Sequence, residues 1–248
     1  MNWRFIEFSR TNGAMNMAVD EAISRSVGRG QAPPTIRFYG WEPSAVSIGC
    51  FQSVDEEVDR EACERLGVDI VRRRTGAGAV YHDSNGEVTY SVICPLDLME
   101  EDISASYRTV CGWVIDALDL LGIKAEFQPI NDILVGGRKI SGSAQTRREG
   151  VFLQHGTLLY DLDLEAMFTV LDVDADKMSD KELESVLDRV TSISAQGDID
   201  LDLVLRALRV AFTQGKEWEI GNLLAAEIEE ARTLARTRYS ADEWTDSR

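Results

Sequence analysis

The order in which the hydrophobic period changes along the chain constrains its fold more than any other feature. From residue 3 to about residue 163, most apolar runs are short and follow the strand period of two. Strands are expected at 3–8, 35–41, 45–51, 69–74, 79–83, 87–96, 125–130 and 151–163. DILVGGRKISGSAQTRR (132–148) reads as a hairpin, with an apolar run, a Gly-Gly turn and an apolar–polar alternation. Helical periodicity interrupts this series at 16–27, 58–67 and 104–122, the last two each followed by a glycine cap. After about residue 164 the pattern turns helical, near 164–171, 179–189, 200–213 and 222–238. Strands first, helices interleaved and then gathered at the end, is an α+β (mixed α/β) layout with mixed sheets flanked by helices. It excludes the regular βαβ alternation of a Rossmann sheet.

At 248 residues the chain is read as a single domain over 1–248, with enough length to bury a substantial core. A net charge of −17 argues against a nucleic-acid or anionic-membrane partner, both of which need a basic face. The four cysteines, at 50, 63, 94 and 111, form no CxxC pair, and with two histidines no zinc pattern arises. A reducing, cytoplasmic setting is expected. No run approaches the roughly 18 apolar residues of a membrane span. The stretch 161–200 carries twelve Asp/Glu against three Lys/Arg and reads as a solvated acidic face.

Against this acidic background RRRTGAGAVYHD (72–83) stands out. Alternation on a strand puts Arg72 and Arg74 on one face and Arg73 on the other. The planar guanidinium fork suits carboxylate or phosphate oxygens. Gly76 and Gly78 allow a close approach of the backbone, whose N–H groups can form an anion nest. The same stretch is also compatible with a hairpin turn carrying solvated arginines. Lys139 sits between a Gly-Gly turn and the small residues Gly142, Ser143 and Ala144, which leave room for a ligand at its ammonium. Asn131 and Asp132 precede the same hairpin as turn formers, or as an amide and a carboxylate able to hold Mg²⁺ near phosphates. His82 and His155, each alone on a strand, are read as packed and hydrogen-bonded.

In combination, RRRTGAGAVYHD, NDILVGGRKISGSAQ and LQHGTLLYDLD, with IRFYGWEPSAVSIGCFQ upstream, resemble the lipoate–protein ligase A group. That group lies within the superfamily of lipoate ligases, octanoyltransferases and biotin ligases, so the resemblance implies a biotin/lipoyl-ligase-like fold. RVTSI (189–193) and RYSADEW (238–244) are similar as well, so the resemblance runs from about residue 3 to the end. The family pattern Arg-Arg-x-[Ser/Thr]-Gly-Gly-Gly maps onto Arg72, Arg73, Thr75, Gly76, Ala77 and Gly78, with Ala77 replacing the middle glycine.

The resemblance implies an ATP-dependent lipoate–protein ligase. Lipoate would be activated to lipoyl-AMP, and the lipoyl group passed to a lysine of a lipoyl-carrier domain. Lys139 matches the family's essential lysine. The arginine–glycine turn, with Ala79, Val80, Tyr81, His82, Asn131, Asp132, Gly142, Ala144 and His155, would hold ATP and the adenylate. Asp132 would help place Mg²⁺. Val46, Ile48, Val80 and Leu153 are expected to line the acyl slot. The acceptor would be a 2-oxoacid dehydrogenase E2 domain, a glycine-cleavage H protein or a related carrier, met by Arg138, Arg147 and Arg148. Longer members carry a C-terminal accessory domain that this chain lacks, so a separate accessory subunit for the activation step is expected. Two alternatives remain. One is an octanoyl–protein transferase, although residues 112–248 hold no cysteine where such enzymes carry theirs. The other is a non-catalytic acyl- or adenylate-binding homologue.

Overall fold

The computed structural model describes residues 2–161, 163–171 and 189–248. Its strands are β1 Trp3–Thr11, β2 Thr35–Trp41, β3 Ala45–Ile48, β4 Asp69–Arg72, β5 Val80–His82, β6 Glu87–Pro95, β7 Glu126–Gln128, β8 Asp132–Val135, β9 Arg138–Arg148, β10 Val151–Leu159 and β11 Trp218–Ile220. Its helices are α1 Gly13–Gly28, α2 Val54–Glu57, α3 Arg60–Leu66, α4 Ile103–Leu120, α5 Leu164–Val170, α6 Leu201–Thr213, α7 Ala225–Leu234 and α8 Asp242–Thr245. Eight strands form one mixed sheet in the order β11-β1-β2-β6-β10-β9-β8-β7, and three form a second, β4-β3-β5. The mixed α/β class expected from the hydrophobic periods is the one observed. The helix expected near 179–189 lies, but for its last residue, outside the described residues, as does much of the acidic stretch.

Strand parity decides what covers the large sheet. On one face, Ile36, Phe38, Val88, Tyr90, Val92, Phe152 and Leu158 pack against Val110, Val114 and Leu118 of α4 and Val204, Leu208 and Phe212 of α6. On the other, Tyr39, Trp41, Ile93, Val151 and Leu153 pack against Met17, Val19, Ile23 and Val27 of α1. Each such fully buried side chain contributes on the order of 1.5–3 kcal/mol. The Asn12 side chain accepts from Met15 N at the start of α1. The small sheet has its own core, where Val46, Ile48 and Tyr81 pack with residues of α2 and α3 and with Val170 of α5.

Helix α1 covers only part of its face, and the rest is roofed by the small sheet. Among the described residues the two sheets share no strand pairing, so a seam runs between them. No described helix is long and apolar enough to cross a membrane.

Candidate active site

The seam holds a cavity of about 260 Å³, open to solvent on one side. Its floor is a row of residues in register across four strands of the large sheet, Tyr39, Thr89, Thr157 and Gly142. His155 and its register partner Ala144 form the next row. The roof is Ser47 of β3, Val80, Tyr81 and His82 of β5, and Ala77, Gly78 and Ala79 of the loop before β5. Met17, Leu159, Met167, Leu171 and Val190 give the walls an apolar lining.

That loop is not a hairpin turn. Strands β4 and β5 pair with opposite edges of β3, β4 in parallel and β5 antiparallel, so residues 73–79 arch over the end of β3. Gly49 is what lets the arch sit down, because a Cβ there would lie 2.1 Å from the carbonyl oxygen of Ala77. Arg73 braces the arch from inside. Its Nη1 donates to the Ser47 carbonyl (2.7 Å) and to Ser47 Oγ (3.0 Å). Its Nη2 donates to the carbonyls of Gly76 (2.7 Å) and Gly78 (2.6 Å). Arg73 is buried with no carboxylate partner among the described residues, and burial pushes its pKa down to about 10. Its four Nη hydrogens are engaged within the arch, so it acts on an oxygen in the cavity chiefly through its positive charge.

The expected set divides. Arg73, Ala77, Gly78, Ala79, Val80, Tyr81, His82, Asn131, Lys139, Gly142, Ala144 and His155 line the cavity, whereas Arg72, Thr75, Gly76 and Asp132 do not. Arg72 is a correction. Its guanidinium is spent on the carbonyls of Gly49, Gln52, Trp244 and Thr245, on the far side of β4. Thr75 acts at one remove, 2.7 Å from His155 Nε2. The acyl slot is a second correction. Val46 and Ile48 face the small sheet's outer core and Leu153 faces α1, so of the four expected residues only Val80 reaches the cavity. Arg147, expected to meet the acceptor, bonds instead to the carbonyls of Glu100 and Glu101 and to Ser106 Oγ.

Lys139 is held by its backbone and by its side chain. Its N–H donates to the Arg189 carbonyl (2.7 Å), and its own carbonyl accepts from Thr191 N (2.8 Å). The side chain folds back over Gly142, where a Cβ would lie 2.8 Å from Cε and 2.9 Å from Nζ. Its ammonium pairs with Asp132 Oδ1 at 2.7 Å. Asn131 secures the neighbouring strand, its Nδ2 donating to the Ser143 carbonyl and its own carbonyl accepting from Ser143 N. Among the described residues no three His, Cys, Asp or Glu side chains converge as metal ligands. The carboxylates beside the cavity, Asp132, Glu87 and Asp20, are already engaged by Lys139, His82 and Arg37, so no step below is routed through a metal.

The histidines each bridge the seam. His82 Nδ1 lies 2.8 Å from Glu87 Oε1 of β6, and its Nε2 lies 2.8 Å from Ser47 Oγ of β3. Trp41 stacks on its ring at 3.9 Å. His155 meets Thr75 at Nε2, while Asp20 Oδ2 stands 3.7 Å from Nδ1. Burial lowers the His155 pKa although Asp20 pulls it up. Asp20 is in turn held by Arg37 (2.9 Å), Ser91 (3.0 Å) and Tyr39 (3.2 Å). Ser47, Glu87 and Asp20 were not singled out from sequence. Parity within Val46-Ser47-Ile48 was the available signal, because a polar residue between two core residues must face the other way.

Residues 12–213 match the lipoyl protein ligase A/B catalytic domain. The octanoyltransferase LipM of Kyrpidia tusciae is 37% identical over 98% of this chain and 97% of its own, and that of Brevibacillus brevis is 34% identical over 98% of both. Among solved structures, a bi-partite lipoate protein ligase from Thermoplasma acidophilum, studied with its E2 lipoyl domain, aligns with a TM-score of 0.89 at 33% identity, covering 99% of this chain and 96% of that one. A lipoate-protein ligase A bound with ATP aligns at 0.86 and 32%, covering 99% and 98%. The curated relatives, reaching the higher identity and named as octanoyltransferases over nearly their whole length, correct the expectation of an ATP-dependent lipoate ligase.

Proposed function

The chain belongs to the lipoyl protein ligase A/B catalytic domain family, and we propose that it moves an octanoyl group from a carrier-protein thioester to a lysine of a lipoyl domain. One observation carries this reading. A largely apolar cavity is lined by two cations, Arg73 and Lys139, in a chain that is 37% identical to an octanoyltransferase over 98% of its length.

The acyl chain would lie along Met17, Val80, Leu159 and Val190. Its carbonyl oxygen would sit between the Arg73 guanidinium and the Lys139 ammonium. When a nucleophile adds to the carbonyl, that oxygen becomes anionic. A cation already fixed in place, as Arg73 is, stabilises it without having to reorganise at the moment of reaction. Lys139 must leave Asp132 to do this, or share itself between the two. With its side chain 43% exposed, Lys139 lies where an incoming acceptor lysine enters. The net step breaks the donor C–S bond and forms an amide C–N bond, and the amine's proton leaves with the thiol.

The test supplies purified protein with an octanoyl carrier protein and a lipoyl domain, and follows octanoylation of the domain by mass spectrometry. Wild-type protein should modify the domain, and Lys139→Ala should lower the rate by about 10²–10³-fold, the usual cost of losing a donor to the developing oxyanion. Modification only when free acid and ATP replace the carrier would overturn the reading. No modification under either condition would leave a binding homologue.

A further inference from the structure

Passing an acyl group between two protein partners is simplest in two steps through an enzyme nucleophile, yet no cysteine lines the cavity. We propose that Ser47 is that nucleophile, with His82 as its base and Glu87 orienting the base. The proposal rests on the transferase reading above.

The hydrogen-bond directions carry the argument. Arg73 can only donate, so Ser47 Oγ accepts from its Nη1 at 3.0 Å. At the other end the Glu87 carboxylate can only accept, so His82 Nδ1 carries the proton between them at 2.8 Å. In the neutral imidazole His82 Nε2 is then left with its lone pair toward Ser47, and Ser47 donates its own proton there across 2.8 Å. A hydroxyl bonded to an imidazole whose other nitrogen is held by a carboxylate is the arrangement that activates serine nucleophiles. Trp41, stacked on His82, holds the ring in plane, and Thr89 donates to the same Glu87 oxygen at 2.5 Å. Ser47, His82 and Arg73 all line the cavity, so a thioester carbonyl placed against Ser47 Oγ also lies beside the Arg73 guanidinium.

The second histidine offers a weaker copy. Thr75 bonds to His155, but Thr75 is not on the cavity wall, and Asp20 stands 3.7 Å from Nδ1, beyond hydrogen-bond reach. Of the thiols, Cys63, Cys94 and Cys111 are buried, and half-buried Cys50 lies off the cavity wall.

In the first step the Ser47 O–C bond forms and the donor C–S bond breaks. The serine proton passes to His82 Nε2 and then to the departing thiolate. In the second step the acceptor amine adds to the ester carbonyl and gives a proton to His82. The C–O bond then breaks, and Ser47 recovers its proton. Thioester and amine become amide and thiol, with no further reactant.

The experiment mixes the protein with octanoyl carrier protein in the absence of acceptor, quenches in acid and maps the acyl group by peptide mass spectrometry. Turnover with a lipoyl domain is measured in parallel. Wild type should carry one octanoyl ester on Ser47. Ser47→Ala should carry none and turn over at least about 100-fold more slowly while still unfolding cooperatively well above the assay temperature. Ser47→Cys should restore turnover and carry a thioester that neutral hydroxylamine cleaves. An acyl group on Cys50 or Thr75, or wild-type turnover in Ser47→Ala, would overturn the assignment while leaving the transferase reading intact. A wild-type protein that octanoylates no acceptor from the carrier would instead overturn the transferase reading itself.

Discussion

Ala77 has φ of +69°, in the left-handed region that favours glycine, while Gly76 and Gly78 on either side do not. The sequence departs from the family's three glycines at the one position of the loop that most needs glycine. The strain of an L-residue there is about 1–2 kcal/mol, and glycine's extra freedom in the unfolded chain offsets about 0.4–1 kcal/mol of that. Ala77→Gly should therefore raise the unfolding free energy by up to about 1.5 kcal/mol, read as a higher urea midpoint at unchanged slope. A lower midpoint would show that the loop relaxes around the methyl group. Gly142 answers to a different constraint. Lys139 Cε and Nζ occupy the space a side chain would need, so this glycine is set by the lysine it faces rather than by its own backbone angles.

The strand carrying the arginines is held from behind by the end of the chain. Trp244 Nε1 donates to the Arg72 carbonyl at 2.9 Å, and the Arg72 guanidinium reaches the carbonyls of Trp244 and Thr245 at the last helix, α8. Arg72→Met would leave four main-chain carbonyls to find other donors. It should cost roughly 3 kcal/mol or more, with each buried unsatisfied group worth about 1–3 kcal/mol. Denaturant melts measure this directly, and a loss below about 1 kcal/mol would mean that water replaces the guanidinium. Sequence could not show this contact, because it joins residues 172 apart. The β8–β9 hairpin was legible, since alternation and a Gly-Gly turn are local signals. The arch between β4 and β5 was not, because the same residues would also make a hairpin and only their pairing with β3 decides between the two. Strand β11 was missed for another reason. Its three residues are all exposed and exist as a strand only by pairing with β1. Within the site, residue types were readable at Arg73, Lys139 and the glycine loop, while the roof and floor assignment of Ser47 and Glu87 needed the tertiary seam.

Across the whole molecule both histidines join the large sheet to the small one or to its loop. His155 sets the pH response. Burial, opposed by Asp20, holds its pKa below the ordinary 6.5, and Arg73 and His82 add to the lowering. The unfolded chain therefore takes up the proton first as pH falls, so this contribution to stability is complete above about pH 6.5 and declines below it. Tm should fall as pH drops from about 7 to about 5, and His155→Gln should lose most of that decline. A variant that melts with the wild-type pH slope would assign the effect to other groups. The seam also separates two kinds of motion. Moving the sheets apart costs side-chain contacts and the histidine bridges, but breaks no strand-to-strand hydrogen bond. A displacement of one sheet against the other would thus be resisted by side chains alone, by the histidine bridges and by Ala45 and Val71 of the small sheet, which share a buried core with α1 and the large sheet.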